Sequence, residues 1–404
     1  MTEIIVQKFG GTSVGTVERI DAVAEIIKEA SKSTNIVVVV SAMEGETNKL
    51  VGLANHFAES PDKREFDALV STGETVSSAL LAIALNSKGI NAKSYSASQI
   101  SMKTTDSYSK AKILDIDANK IMEVVEQNTV PIITGFQGIT ETGDITTLGR
   151  GGSDTTAVAI AAQIGAKRCD IYTDVDGVFT TDPKVVPNAK KLDSITMEEM
   201  LELAGQGAKV MQTRAVEFAN KYKVPVRVLS SFNEGDGTLI SLKDDSMENA
   251  LISGIAFQKD QVKFTLHGVG DIPGTAFKIL GPISEKDIEV DVIVQNVSVD
   301  GKTDFTFTVS KDDESDVKKI IEEIKKEVEF KDLMINSDIA KVSLVGVGMR
   351  THAGIASKAF KALSENGVNI QIISTSEIKI TMVIDKSLVE KAVQVLHEAF
   401  ELDK

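Results

Sequence analysis

Up to about position 242 the chain alternates short apolar runs, rich in β-branched residues, with longer stretches whose apolar residues recur every three or four positions. The runs at 4–8, 36–40, 130–135, 169–175 and 226–230 predict strands, and the stretches 17–30, 69–86, 157–164 and 197–203 predict helices. Strands that are apolar throughout belong to a sheet covered on both faces. The pattern therefore predicts an α/β layered domain around a mostly parallel sheet.

Polar residues then gather from Lys243 through Met247 to Asn249, between two apolar runs, and mark a linker. Beyond it the rhythm changes. The stretch VKFTLHGVG from Val262 is echoed as AKVSLVGVG from Ala340, and the register continues through Ala276 with Ala356, Lys278 with Lys358 and Ile288 with Val368. The tail thus holds two copies of one strand, turn, helix, strand unit. Amphipathic helices are expected over 316–327 and 388–399. Helices on one sheet face leave the other to be covered by pairing of the copies or of subunits, so an oligomer is expected.

Composition narrows the function. A length of 404 residues with 42% hydrophobic content supports about two to three buried cores. The net charge of -15 argues against general affinity for nucleic acid or anionic membrane. No apolar run approaches the roughly 18 residues that span a bilayer, and residues 1–5 lack a basic leader, so a cytoplasmic location is expected. Cys169 is the sole cysteine and reads as a buried hydrophobe. His56, His267, His352 and His397 are scattered without metal-ligand spacing, and no metal-ligating residues are expected.

Two glycine-rich turns carry the chemistry. Lys8-Phe9-Gly10-Gly11-Thr12-Ser13 closes the first strand and opens a helix, a pattern that brings backbone N–H groups to an anion. It is not the Walker pattern, because the lysine precedes the glycines. Thr147-Leu148-Gly149-Arg150-Gly151-Gly152-Ser153-Asp154 leads into a small-residue helix expected from Thr155, and offers a guanidinium beside a carboxylate. Read alone, Asp154 could equally be a helix cap and Arg150 surface charge.

With those turns, GFQGITETGDITTLGRGGSD, YTDVDGVFTTDP and GAKV, in order, resemble the aspartate kinase branch of the amino acid kinase family. The duplicated tail resembles that branch's ACT domains. The resemblance implies a three-layer αβα kinase domain over 1–245 and two ferredoxin-like βαββαβ ACT domains over 255–335 and 338–404. It implies transfer of the ATP γ-phosphoryl group to the L-aspartate side-chain carboxylate, the first step toward lysine, threonine and methionine. Glutamate and acetylglutamate kinases lack a paired ACT tail, and a non-catalytic sensor would have no use for Lys8, Arg150 and Asp154.

By this resemblance Lys8 and Asp154 are the catalytic pair, and Ser41, Thr47, Glu74, Arg150 and Ser153 hold aspartate, with Gly45 beside them. ATP falls to Lys8, Gly10, Gly11, Ser13, Thr173, Asp174, Lys184 and Lys209, with Mg²⁺ carried mainly by its phosphates. Lys184 departs from the arginine often found there, keeping the charge without the planar fork. Lysine, threonine or both are the expected effectors, at Asp271, Pro273, Gly274, Asp291, Gln295 and Asn296. The second repeat replaces this turn by Met349-Arg350-Thr351-His352-Ala353-Gly354, so its pocket is expected to differ. The implied partners are these small molecules, copies of the chain joined through ACT domains, and a short ACT-only subunit starting near Met247.

Overall fold

The computed structural model describes residues 3–208, 210–242, 251–296, 301–350, 352 and 354–404. The linker around Met247, the nucleotide candidate Lys209, and Thr351 and Ala353 of the second turn lie outside them. The described residues form two compact units, one of 3–179, 191–205 and 210–242, the other of 180–190, 206–208 and the described residues from 251 onward.

The first unit runs β1 (Ile4–Phe9), α1 (Val17–Ser31), β2 (Asn35–Val40), α2 (Glu46–Phe57), α3 (Lys63–Val70), α4 (Thr72–Ser87), β3 (Ala92–Tyr95), β4 (Lys103–Thr104), β5 (Ile113–Asp115) and α5 (Ala118–Glu126). It continues with β6 (Val130–Thr134), β7 (Gln137–Ile139), β8 (Ile145–Thr147), α6 (Gly152–Gln163), β9 (Arg168–Thr173), β10 (Ser194–Thr196), α7 (Met197–Gly205), α8 (Thr213–Tyr222), β11 (Val226–Ser230) and β12 (Thr238–Ser241).

Eight strands form one sheet in the order β10-β12-β11-β9-β1-β2-β6-β3, parallel except at β11–β12. β1 is central, with Lys8 opposite Val39 on one side and Ile171 on the other. Chain order diverges between β1 and β9, which opens a crevice at the carboxyl ends of these strands. The apolar runs are buried as a doubly covered sheet requires, and Phe9 stacks on Tyr172 at 4.6 Å. A short second sheet, β5-β4-β7-β8, delivers the chain to α6.

α6 packs on β1, β2 and β9, and every residue from Gly152 to Ala161 is buried, so its small side chains permit close approach to the sheet. It starts at Gly152, earlier than the pattern predicts, which places Ser153 and Asp154 in its first turn. One further difference concerns apolar length. The helical stretch Lys63–Ser87 is long and apolar enough to cross a membrane, yet 50% of its apolar window is buried inside the fold. It is a core element, and Asp67 and Glu74 face inward from it.

The second unit adds β13 (Gly254–Gly270), α9 (Thr275–Ser284), β14 (Val290–Gln295), β15 (Lys302–Ser310), α10 (Glu314–Ile324), β16 (Asp332–Val345), α11 (Ile355–Glu365), β17 (Ile370–Thr375), β18 (Lys379–Asp385) and α12 (Val389–Ala399). Its sheet order is β14-β15-β13-β16-β18-β17. β13 and β16 are long enough to serve both repeats. Lys263 to His267 pair with Asn336 to Asp332 in the first module, whereas Gly254 to Gln258 pair with Val345 to Lys341 in the second. The closing strand of the second module therefore precedes the whole first module in sequence. The modules are interleaved, and each keeps the ferredoxin-like order. Val292 of the first also packs with Ile339 and Val383, so the copies cover part of each other's open face.

Candidate active site

A cavity of about 340 Å³ at the carboxyl end of β1 is lined by Lys8, Gly11, Ser41, Gly45, Thr47, Glu74, Arg150, Ser153 and Asp154, all anticipated from the sequence. Ala42, Met43, Glu44, Phe136 and Gln212 also line it and were not anticipated. Lys8 Nζ lies 2.6 Å from Asp154 Oδ1, each side chain 10% exposed. The position of Asp154 in the first turn of α6 adds the helix's positive end to the lysine charge. Removing either partner would strand a charge in a poorly solvated place.

Glu74 is buried, not the solvated helix-start acid that its position in α4 would ordinarily give. Its Oε1 accepts from the Ala42 N–H at 3.2 Å, while Oε2 is buried without a partner. Burial pushes its pKa up to about 7, opposed by hydrogen bonds from main-chain N–H groups. An unpartnered buried carboxylate facing a cavity favours a cation. Arg150 lies exposed among the cavity-lining residues. Ser41 directly follows β2, with its N–H on Phe9 O at 3.1 Å and its carbonyl accepting from Ser77 Oγ at 2.7 Å. Thr47 sits in the first turn of α2.

The nucleotide candidates are gathered less completely. Gly10 donates its N–H to Tyr172 O at 3.1 Å, tying the first turn to the end of β9. Ser13 and Thr173 do not line the cavity but meet through Ser231, whose hydroxyl donates to Ser13 Oγ at 2.8 Å and whose N–H donates to Thr173 O at 2.9 Å. The sequence reading missed Ser231, although the strand end at Ser230 was a signal. Thr173 Oγ1 donates to Asp174 Oδ1 at 3.1 Å. Lys184 is exposed and belongs to the other compact unit, its N–H on Asp182 Oδ1 at 2.8 Å.

In the first module of the second unit Gln295 Nε2 donates to Asp271 Oδ1 at 3.3 Å, and the Asp271 N–H bonds Gly301 O at 2.9 Å. Pro273 is exposed, and Gly274 precedes α9 with φ 95°. Asn296 O accepts from Thr303 Oγ1. Asp291 engages Lys341 of the second module at 2.5 Å instead. Burial opposes ionisation of Asp291, but the Lys341 ammonium holds its pKa below the usual carboxylate range. Lys341, 3% exposed, is a further residue the sequence reading missed.

An α/β unit with such a cavity, followed by paired ferredoxin-like modules, agrees with the family comparison. Residues 3–230 match the Amino acid kinase family, and 266–329 and 342–400 each match an ACT domain. The aspartate kinase of Stutzerimonas stutzeri is 57% identical over 99% of this chain and 98% of its own, and the aspartokinase of Mycolicibacterium smegmatis is 45% identical over 99% and 96%. The crystal structure of E. coli aspartokinase III with aspartate and ADP superposes with a TM-score of 0.83 at 27% identity, covering 98% of this chain and 99% of that one. The chain belongs to the aspartate kinases of the amino acid kinase family.

Proposed function

We propose that this chain phosphorylates the side-chain carboxylate of L-aspartate with MgATP, giving 4-phospho-L-aspartate and ADP. The observation that carries this is the Lys8–Asp154 pair sharing one cavity with the unpartnered Glu74 carboxylate and with Arg150. Both charges of a free amino acid are met there. Glu74 pairs with the α-ammonium, whose arrival favours the ionised acid, and Arg150 clamps a carboxylate. Ser41, Thr47 and Ser153 form the floor around them.

The acceptor carboxylate is ionised at neutral pH and needs no general base. One of its oxygens attacks the γ-phosphorus, and the bond to the β–γ bridging oxygen breaks, leaving ADP. Lys8 stabilises the negative charge on the transferring oxygens, and Asp154 orients Lys8. Gly10, Gly11, Ser13, Thr173 and Asp174 are assigned to the nucleotide, as the family resemblance assigns Lys184 and Lys209, and Mg²⁺ carried by the nucleotide would supply further charge neutralisation.

Feedback inhibition by lysine, threonine or both is assigned to the first ACT module, at Asp271, Pro273, Gly274, Asp291, Gln295 and Asn296. A crystal structure of E. coli aspartokinase III with lysine and aspartate, 27% identical with a TM-score of 0.77 and covering 99% of this chain and 100% of that one, supports an amino-acid effector. Residues 1–245 are assigned to catalysis, and 255–335 and 338–404 to the two modules, with the strand segment 254–258 completing the sheet of the second. Association of copies through those modules, a separate ACT-only subunit and a cytoplasmic location complete the proposal.

The test is an ADP-release assay with MgATP and L-aspartate, L-glutamate or N-acetyl-L-glutamate, with hydroxylamine trapping of the acyl phosphate. Turnover and hydroxamate with aspartate alone are expected. Preference for another acceptor, or aspartate binding without turnover, overturns the proposal.

A further inference from the structure

The turn that carries Arg150 is built on glycines, the residues with the greatest backbone freedom. Gly149 and Gly151 flank the arginine with φ of 77° and 71°, a region open to glycine because a Cβ clashes there in most residues. Their backbones press on neighbours: a Cβ would lie 2.9 Å from Ser109 O at position 149 and 1.8 Å from Gln212 Cγ at position 151. A clamp on a substrate carboxylate must nevertheless be fixed within a fraction of an ångström to be effective. The stiffness has to be supplied by other residues.

Two side chains outside the cavity supply it. Asp67 of α3 is fully buried, and its carboxylate accepts four hydrogen bonds. Thr147 gives two, from N–H at 2.7 Å and Oγ1 at 2.9 Å, and Ser109 gives two, from N–H at 2.8 Å and Oγ at 2.9 Å. Burying a carboxylate is costly unless its lone pairs are met, and these four donors meet them. On the far side of the turn Arg214 of α8 donates to Leu148 O at 2.7 Å and to Ala111 O at 2.8 Å. The Ala111 N–H closes the circuit on Thr147 O at 3.0 Å. The two residues preceding Gly149 are thus held by an acid from one helix and a guanidinium from another, each also holding the segment 109–111.

We infer that Asp67 and Arg214 are positioning residues for Arg150, setting how well the acceptor's carboxylate is bound and leaving the nucleotide end untouched. The inference rests on the reading of Arg150 as the acceptor clamp. A lysine at 214 keeps the charge but cannot bridge two carbonyls with a planar fork, so Arg214→Lys tests the role with little risk to folding.

The experiment measures both Michaelis constants for wild type, Arg214→Lys, Asp67→Asn, Arg150→Ala and the Arg214→Lys/Arg150→Ala double variant, with melting temperatures alongside. Arg214→Lys is expected to raise KM for aspartate about tenfold and to change KM for ATP less than about twofold. Asp67→Asn shifts KM for aspartate in the same direction if it folds, and the Arg214 arm decides if it does not. Once Arg150 is gone, Arg214→Lys should add nothing further, because residues acting through one another are not additive. Equal changes in both KM values, no change in either, or a full additional loss in the double variant would overturn the clamp alone. Absence of wild-type turnover on aspartate would overturn the functional reading with it.

Discussion

The cavity at the end of β1 and the turn of the first ACT module both bring acids and glycines to the start of a helix, but they differ in burial. In the cavity Lys8, Glu74, Ser153 and Asp154 are buried, and the turn bearing Arg150 is strapped from two sides. In the module Asp271, Pro273 and Gly274 are exposed, and the Asp271 carboxylate meets Gln295 at 3.3 Å. A site that stabilises a transition state has to be organised before the reaction begins. A site that reports ligand concentration needs instead a difference in affinity between two states.

The largest effect should come from the buried Lys8–Asp154 pair. Lys8→Ala is expected to lower kcat on the order of 10²-fold or more with a near-normal circular dichroism spectrum, as loss of a transition-state charge donor does. Turnover close to wild type would remove the distinction at its root. Next comes Glu74. Its pKa near 7 implies that kcat/KM for aspartate rises as pH increases through about 7 and the acid ionises. Glu74→Gln should flatten that limb and raise KM for aspartate by at least about tenfold.

The same residue gives a stability test. Its native pKa, about 7, exceeds the ordinary 4.5, so stability is greatest with the acid protonated and falls as pH rises between those values. Glu74→Gln should then gain up to about 3 kcal/mol over wild type above pH 7 and nothing below pH 4.5, measured by denaturant unfolding. A constant difference across pH would mean that Glu74 is not held in a desolvated place. The smallest effect is expected at the turn. Asp271→Ala should raise the half-inhibitory concentration of the effector several-fold, read from inhibition curves with lysine and threonine, and unchanged curves would move the sensing site elsewhere.

Legibility in the sequence follows the same division. β1, β2, β6, β9 and β11 were readable because strands covered on both faces leave continuous apolar runs, and Lys8 stood out as a cation ending such a run. The resemblance supplied Glu74, whose burial no local pattern predicts. The short sheet of β4, β5, β7 and β8 was invisible, since strands of two or three residues carry no measurable alternation. Asp67 was missed for a different reason. An acid in an amphipathic helix normally faces water, and only its three-residue spacing from Val70, on the buried face, hinted otherwise. Arg214 and Ser231 act through main-chain carbonyls and hydroxyls, partners that sequence pattern does not specify.

The interleaving of the regulatory modules bears on where the chain can be cut. A fragment starting at Met247 retains 254–258 and can complete the six-stranded sheet, whereas one starting at Asp260 leaves β16 with a bare edge beside 341–345. Thirteen residues of difference at one end would then separate a soluble regulatory piece from a sticky one, although both contain every helix of the pair.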